Sequence, residues 1–184
     1  MLNSLVGIIA SSGGAVAGGA YESIASATGT GSSGTITFSS IPSTYASLQV
    51  RLIGRSTGGT DNVVMRLQYN STAMTRGHFV SGNGSTAAAS ASNFPIYLPA
   101  SNVTADVMGV GIIDIHDYAS TTRNKTARYI GGWNGNNVFT TNERLQIASS
   151  FLDNTAAITS IDLTLASGSW STNSQIALYG IKGA

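Results

Sequence analysis

An all-β, antiparallel sandwich is the fold the sequence predicts, and three observations predict it. Apolar and polar residues alternate with a period of two, as at Leu48, Val50 and Leu52 around Gln49 and Arg51, and at Ile161, Leu163 and Leu165 around Asp162 and Thr164. That is the period of a strand with one buried face. Glycine-rich turns punctuate these runs: TGGTDN at 57–62, SGNGS at 81–85, GGWNGNN at 131–137 and ASGSW at 166–170. Outside the first twenty residues no segment sustains a helical period. Many short strands with long irregular connections point to a jelly-roll-like sandwich.

The elements follow in order. Residues 1–20 are apolar and small, with Leu2, Leu5, Val6, Ile8 and Ile9 and glycines at 13, 14, 18 and 19. The stretch has some look of a signal peptide, but no basic residue precedes its apolar run, and the first charge is Glu22. It is read as a retained, ordered docking segment, because an uncharged apolar cluster of this kind marks a contact surface. Tyr21–Ala27 suits a first strand or part of the docking segment. TGTGSSG at 28–34 has the composition of a flexible joint. The expected organisation is therefore a docking segment and joint over 1–30 and a β-sandwich over 31–184. Strands are expected at Thr35–Ser39, around Leu48–Leu52, and at Val63–Tyr69, Gly77–Val80, Pro95–Leu98, Val107–His116, Thr126–Gly131, Arg144–Ser150, Ile161–Leu165 and Gln175–Ile181.

Composition narrows the function. At 184 residues the chain suits one domain. Only 9% of residues are charged and the net charge is +1, against about 25% charged in an ordinary globular protein. Such a chain has no basic field for nucleic acid and little charge repulsion against self-association. It holds no cysteine, so disulfides and thiolate metal sites are excluded. No apolar run is long enough to cross a membrane as a helix.

Candidate chemistry is sparse. Asp114 and His116 share a strand face and can ligate a metal as a pair, but no further ligand is near in sequence. Asp117-Tyr118-Ala119-Ser120 reads as a turn at a strand end. No nucleophile elbow occurs. Two glutamates and six aspartates offer no evident carboxylate pair for glycoside hydrolysis. The chain is expected to be no enzyme and to hold no metal and no cofactor. The Gly-rich turns at 82–85 and 131–135 lack phosphate-binding patterns and read as tight loops. Trp133 and Trp170, in turn-like contexts, suit core capping, a subunit contact or stacking on a sugar. Arg123, Lys125 and Arg128 form one basic cluster, expected as a solvated loop or a subunit salt-bridge surface.

Several phrases then recur in a telling order: Tyr21-Glu22-Ser23-Ile24-Ala25; Ile36 through Tyr45 running into Leu48-Gln49-Val50-Arg51; Gly82-Asn83-Gly84-Ser85; Ile113 through Thr121; Ala157-Ile158-Thr159-Ser160-Ile161; and Ala177 through Lys182. As a set, spanning about residues 21–183, they resemble small virion proteins of tailed bacteriophages of cyanobacteria and other aquatic bacteria. The chain departs from that pattern at Tyr69-Asn70-Ser71-Thr72, which lacks the usual Asp, and at Ser150 through Thr155. The resemblance implies a virion component, a tail fibre or a head-surface protein, and no catalytic activity. Two roles compete. In one the protein is a short trimeric tail fibre, docked by residues 1–30 to tail or baseplate, its β-domain facing a host glycan. In the other it is a capsid decoration protein. A stand-alone lectin is a third, minor role.

Overall fold

A computed structural model describes residues 19–74, 76–92, 94–135 and 144–183. The docking residues Leu2, Leu5, Val6, Ile8 and Ile9 lie outside the described residues. There are thirteen strands and no helix among them: β1 (Tyr21–Thr28), β2 (Thr35–Phe38), β3 (Ser47–Gly54), β4 (Asn62–Tyr69), β5 (Thr72–Ala73), β6 (Arg76–Gly82), β7 (Ala87–Ser92), β8 (Ile96–Pro99), β9 (Gly109–His116), β10 (Lys125–Trp133), β11 (Arg144–Leu152), β12 (Ile161–Leu165) and β13 (Gln175–Ile181).

They form two antiparallel sheets. The large sheet has the order β1-β13-β3-β9-β10-β11-β6-β7, and the small sheet the order β2-β12-β4-β5, with β8 also paired to β4. The expected antiparallel β-sandwich is what the chain forms. Within the large sheet β9, β10 and β11 are a meander, and β6 returns beside β11, a Greek-key order.

Alternation decides which side chains meet between the sheets. Leu48, Val50 and Leu52 from β3, Ile113 and Ile115 from β9, Tyr129 from β10 and Leu178 from β13 face Leu67 from β4, Leu98 from β8, and Ile161, Leu163 and Leu165 from β12; all are buried. The six positions chosen from periodicity alone are therefore core.

Two boundaries differ from the sequence reading. β1 is an edge strand of the large sheet, paired with β13 from Tyr21↔Ile181 to Thr28↔Gln175, so the sandwich begins at Tyr21 and not at residue 31. Residues 28–34 are no free joint. The Gly29 and Gly31 amides donate to Ser174 O and Trp170 O, and Ser33 O and Gly34 O accept from the Trp170 and Leu165 amides, at 2.8–2.9 Å. The glycines let two backbones run this close. A Cβ on Gly29 would strike the carbonyl of Ser171.

Four of the phrases that carry the family resemblance, those around Ile36–Tyr45, Ile113–Thr121, Ala157–Ile161 and Ala177–Lys182, meet at one end of the sandwich, whereas Gly82–Ser85 lies at the other. Tyr118 is wholly buried. Its hydroxyl donates to Pro42 O at 2.6 Å and accepts from the Tyr45 amide at 3.0 Å. The Ile158 amide donates to Tyr118 O, and the Ile41 amide to Thr159 O. The ring of Tyr45 occupies the space that a side chain at Gly180 would need. These phrases hold the fold together.

Candidate interaction face on the large sheet

The outer face of the large sheet is laid out in rows of directly opposed residues. One row reads Ala89, Val80, Ile147, Ile130, Ile112, Arg51, Ala177 and Ser26 across β7, β6, β11, β10, β9, β3, β13 and β1. The next reads Ala87, Gly82, Leu145, Gly132, Val110, Ile53, Gln175 and Thr28. Seven large aliphatic side chains in these two rows point to solvent, exposed between 37% at Ile112 and 62% at Leu145. Tyr21, the one other exposed large hydrophobic side chain among the described residues, is on the same face. Their gathering is what distinguishes this face, since isolated exposed aliphatics are ordinary.

The face is hollowed. A depression of about 650 Å³ lies over β1, β13, β3, β9 and β10, between Ile53, Val110, Ile112 and Ile130. A second, of about 490 Å³, lies beside Leu145 where Gly132 leaves no side chain. A third, of about 510 Å³, lies between Val80, Ile147 and Arg128. The first two depressions meet at Val110 and Gly131, which line both.

The rows beyond are polar. Arg128 stands opposite Asp114, and Asp114 opposite Gln49. Gln49 Nε2 donates to Asp114 Oδ1 at 2.8 Å, and Arg51 Nε donates to Gln49 Oε1 at 2.7 Å. The Arg51 guanidinium lies about 5 Å from the ring centres of both Tyr21 and Tyr179, within cation–π range. The face is thus apolar at one end and polar at the other.

Asp114 and His116 do share this face, as alternation requires, with His116 opposite Ser47 and Thr126. No group of three His, Asp or Glu side chains converges among the described residues. Asp117 adopts a left-handed turn conformation (φ 57°) and pairs with Arg123 at 3.0 Å.

The two tryptophans are buried. Trp170 is wholly enclosed, donates from Nε1 to Leu163 O at 3.2 Å, and lies against Gly54, where a Cβ would collide with its ring. It caps the core and presents no ring to a sugar. Trp133 is 7% exposed and borders the hollow beside Leu145.

The basic cluster is taken apart by alternation. Arg123 is in a turn and paired with Asp117, Arg128 is on the outer face, and Lys125 points inward and is fully buried. Lys125 Nζ donates to Ser120 O, Arg123 O and Thr155 O at 2.6–3.0 Å. Loss of hydration lowers its pKa. The shared surface expected of these three residues does not exist.

The sequence reading missed the outer face because each strand was read for one buried side. In β9, Val110 and Ile112 stand among Gly111, Ile113 and Ile115, and in β11 Leu145 and Ile147 interrupt a polar run. Apolar residues on both parities were the available signal. No family model, curated protein or solved structure matches the chain.

Proposed function

We propose that this protein is a structural component of a tailed-phage particle, a short trimeric tail fibre built into the particle through hydrophobic contacts. The single observation that supports this reading is the gathering of every exposed large hydrophobic side chain of the described residues on one sheet face. Half-exposed, those seven aliphatics hold back on the order of 5–10 kcal/mol of burial free energy, at about 1.5–3 kcal/mol per fully buried side chain. Association costs offset part of that. A low-charge surface suits a protein that spends its life in an assembly. The family resemblance in the sequence points the same way.

The polar rows suit the side that faces outward. Asp114, Arg51 and the rings of Tyr21 and Tyr179 form a polar and aromatic surface of the kind that suits contact with a host glycan, a role the buried Trp170 cannot fill. Immunogold labelling of intact virions tests the reading. Label on the tail tip is expected. Label over the head identifies a capsid decoration protein instead, and absence of the protein from purified particles refutes both.

A further inference from the structure

The outer face needs an occupant, and the chain's own first residues fit it. We infer that residues 2–9 of a neighbouring copy seat on the two apolar rows of the large sheet, so that copies join by exchanging this segment. The inference rests on the outer face being the assembly surface.

Three observations carry it. The first is chemical match. Residues 1–20 hold five large aliphatics and no charged side chain. In the two rows Arg51, at the edge of the first hollow, is the one charged side chain. The second is shape. The face is a chain of hollows, the first about 650 Å³. A hollowed face receives protruding side chains from a narrow segment better than it meets another sheet. The length is also sufficient. Residues 2–9 extended span about 26 Å at roughly 3.3 Å per residue. The strands from β3 to β6 span about 19 Å at roughly 4.8 Å per strand.

The third observation is direction. β1 enters the sheet at Tyr21, opposite Ile181, and runs towards Thr28, opposite Gln175. The apolar rows cross β1 at Ser26 and Thr28. The chain before Tyr21 therefore departs from the opposite, polar end. The Lys182 amide donates to Ala20 O at 2.9 Å and holds that direction one residue further. Residues 19 and 20 thus lead away from the apolar rows of their own copy, which favours the face of a neighbouring copy. Contact of one copy's segment with the next copy's face is heterologous; where its rotation closes it makes a ring, of which a trimer is one form, and where it does not it makes an open filament.

The absence of cysteine makes the test clean. Two full-length single variants, Ile8→Cys carrying an affinity tag and Ile147→Cys untagged, are mixed and oxidised. A disulfide-linked tagged–untagged pair at twice the chain mass is expected. It should be absent when Arg66→Cys, on the outer face of the small sheet, replaces Ile147→Cys. In parallel, Leu5→Glu/Ile8→Glu should reduce the oligomer to the 18.8 kDa single chain by light scattering, with its strand content kept by circular dichroism. No mixed pair, or a link formed only within one chain of the Ile8→Cys/Ile147→Cys double variant, overturns the inference. If Ile130→Glu/Ile147→Glu abolishes particle incorporation while Leu5→Glu/Ile8→Glu does not, the face is an assembly surface and its occupant is another. If neither pair of changes affects oligomer mass or incorporation, the proposed function falls as well.

Discussion

Lys125 shows how one buried cation can organise a loop region. Its ammonium donates to three carbonyl acceptors, from residues 120, 123 and 155. Replacing it by Met removes three charge-assisted bonds and strands the carbonyls, so Lys125→Met should lower stability by about 2–4 kcal/mol, read by denaturant titration. Arg55 does similar work at the surface: its guanidinium donates to the carbonyls of Ser101, Val103, Thr104 and Val107 at 2.6–3.1 Å. Asn70, two residues before Thr72 where the related pattern has Asp, is in left-handed conformation and accepts from the Thr159 and Ser160 amides. Tyr69 is the opposite case. Its hydroxyl is buried with no hydrogen-bond partner. Removing it relieves an unmet donor, so Tyr69→Phe should leave stability unchanged or raise it by about 1 kcal/mol; a clear loss would mean the hydroxyl has a role in the core. None of these roles was legible in the sequence. Lys125 looked like one member of a basic cluster, because only the inward parity of β10 separates it from Arg128.

At the scale of elements, strands with β-branched or aromatic residues at period two announced themselves, and β3, β4, β9, β11, β12 and β13 lie close to their expected bounds. β7, Ala-Ala-Ala-Ser-Ala-Ser, carried no such signal. It is a strand because β6 offers a free edge and its ladder runs from Gly77↔Ser92 to Gly82↔Ala87. Asn83 turns the chain there: its Oδ1 accepts from the Ser85 and Thr86 amides. The segment at 28–34 failed as a joint for a related reason. Composition reports the freedom of an isolated chain, whereas four backbone hydrogen bonds to residues 165–174 remove it. Amide hydrogen exchange separates the two accounts. The Gly31 and Trp170 amides should be protected together with the β12 core, and exchange at unstructured-peptide rates would restore the joint.

For the whole molecule, two sheets share one core, and pH reports on it. Burial raises the pKa of Tyr69, Tyr118 and Tyr129 above the usual phenol value near 10. A raised group adds stability that is fully present below its unfolded pKa and is lost as pH climbs through the folded one. Lys125, whose folded pKa is lowered by burial, has the opposite slope just below its own unfolded value. Three phenols outweigh one amine, so the unfolding midpoint should fall steadily above about pH 10. A midpoint flat to pH 12 would contradict the burial of these rings. The outer face belongs to this scale too. Ile130→Glu/Ile147→Glu should still fold cooperatively, since both side chains face solvent in the single chain, and should lose association.

The sequence by itself determined the class of fold and the identity of the core. A period of two is a local property, and the physics that buries one parity of a strand needs no knowledge of its neighbours. It also determined what the chain lacks in charge and cysteine, and hence which chemistries are closed to it. Tertiary structure alone decided that Tyr21–Thr28 belongs to the sheet, that Trp170 is core, and that Lys125 and Arg128 face opposite sides. It also decided that the aliphatics of β3, β6, β9, β10 and β11 line up in two rows. Register between strands far apart in the chain sets those rows, and register is fixed by the sum of pairings across the sheet, which no single segment encodes.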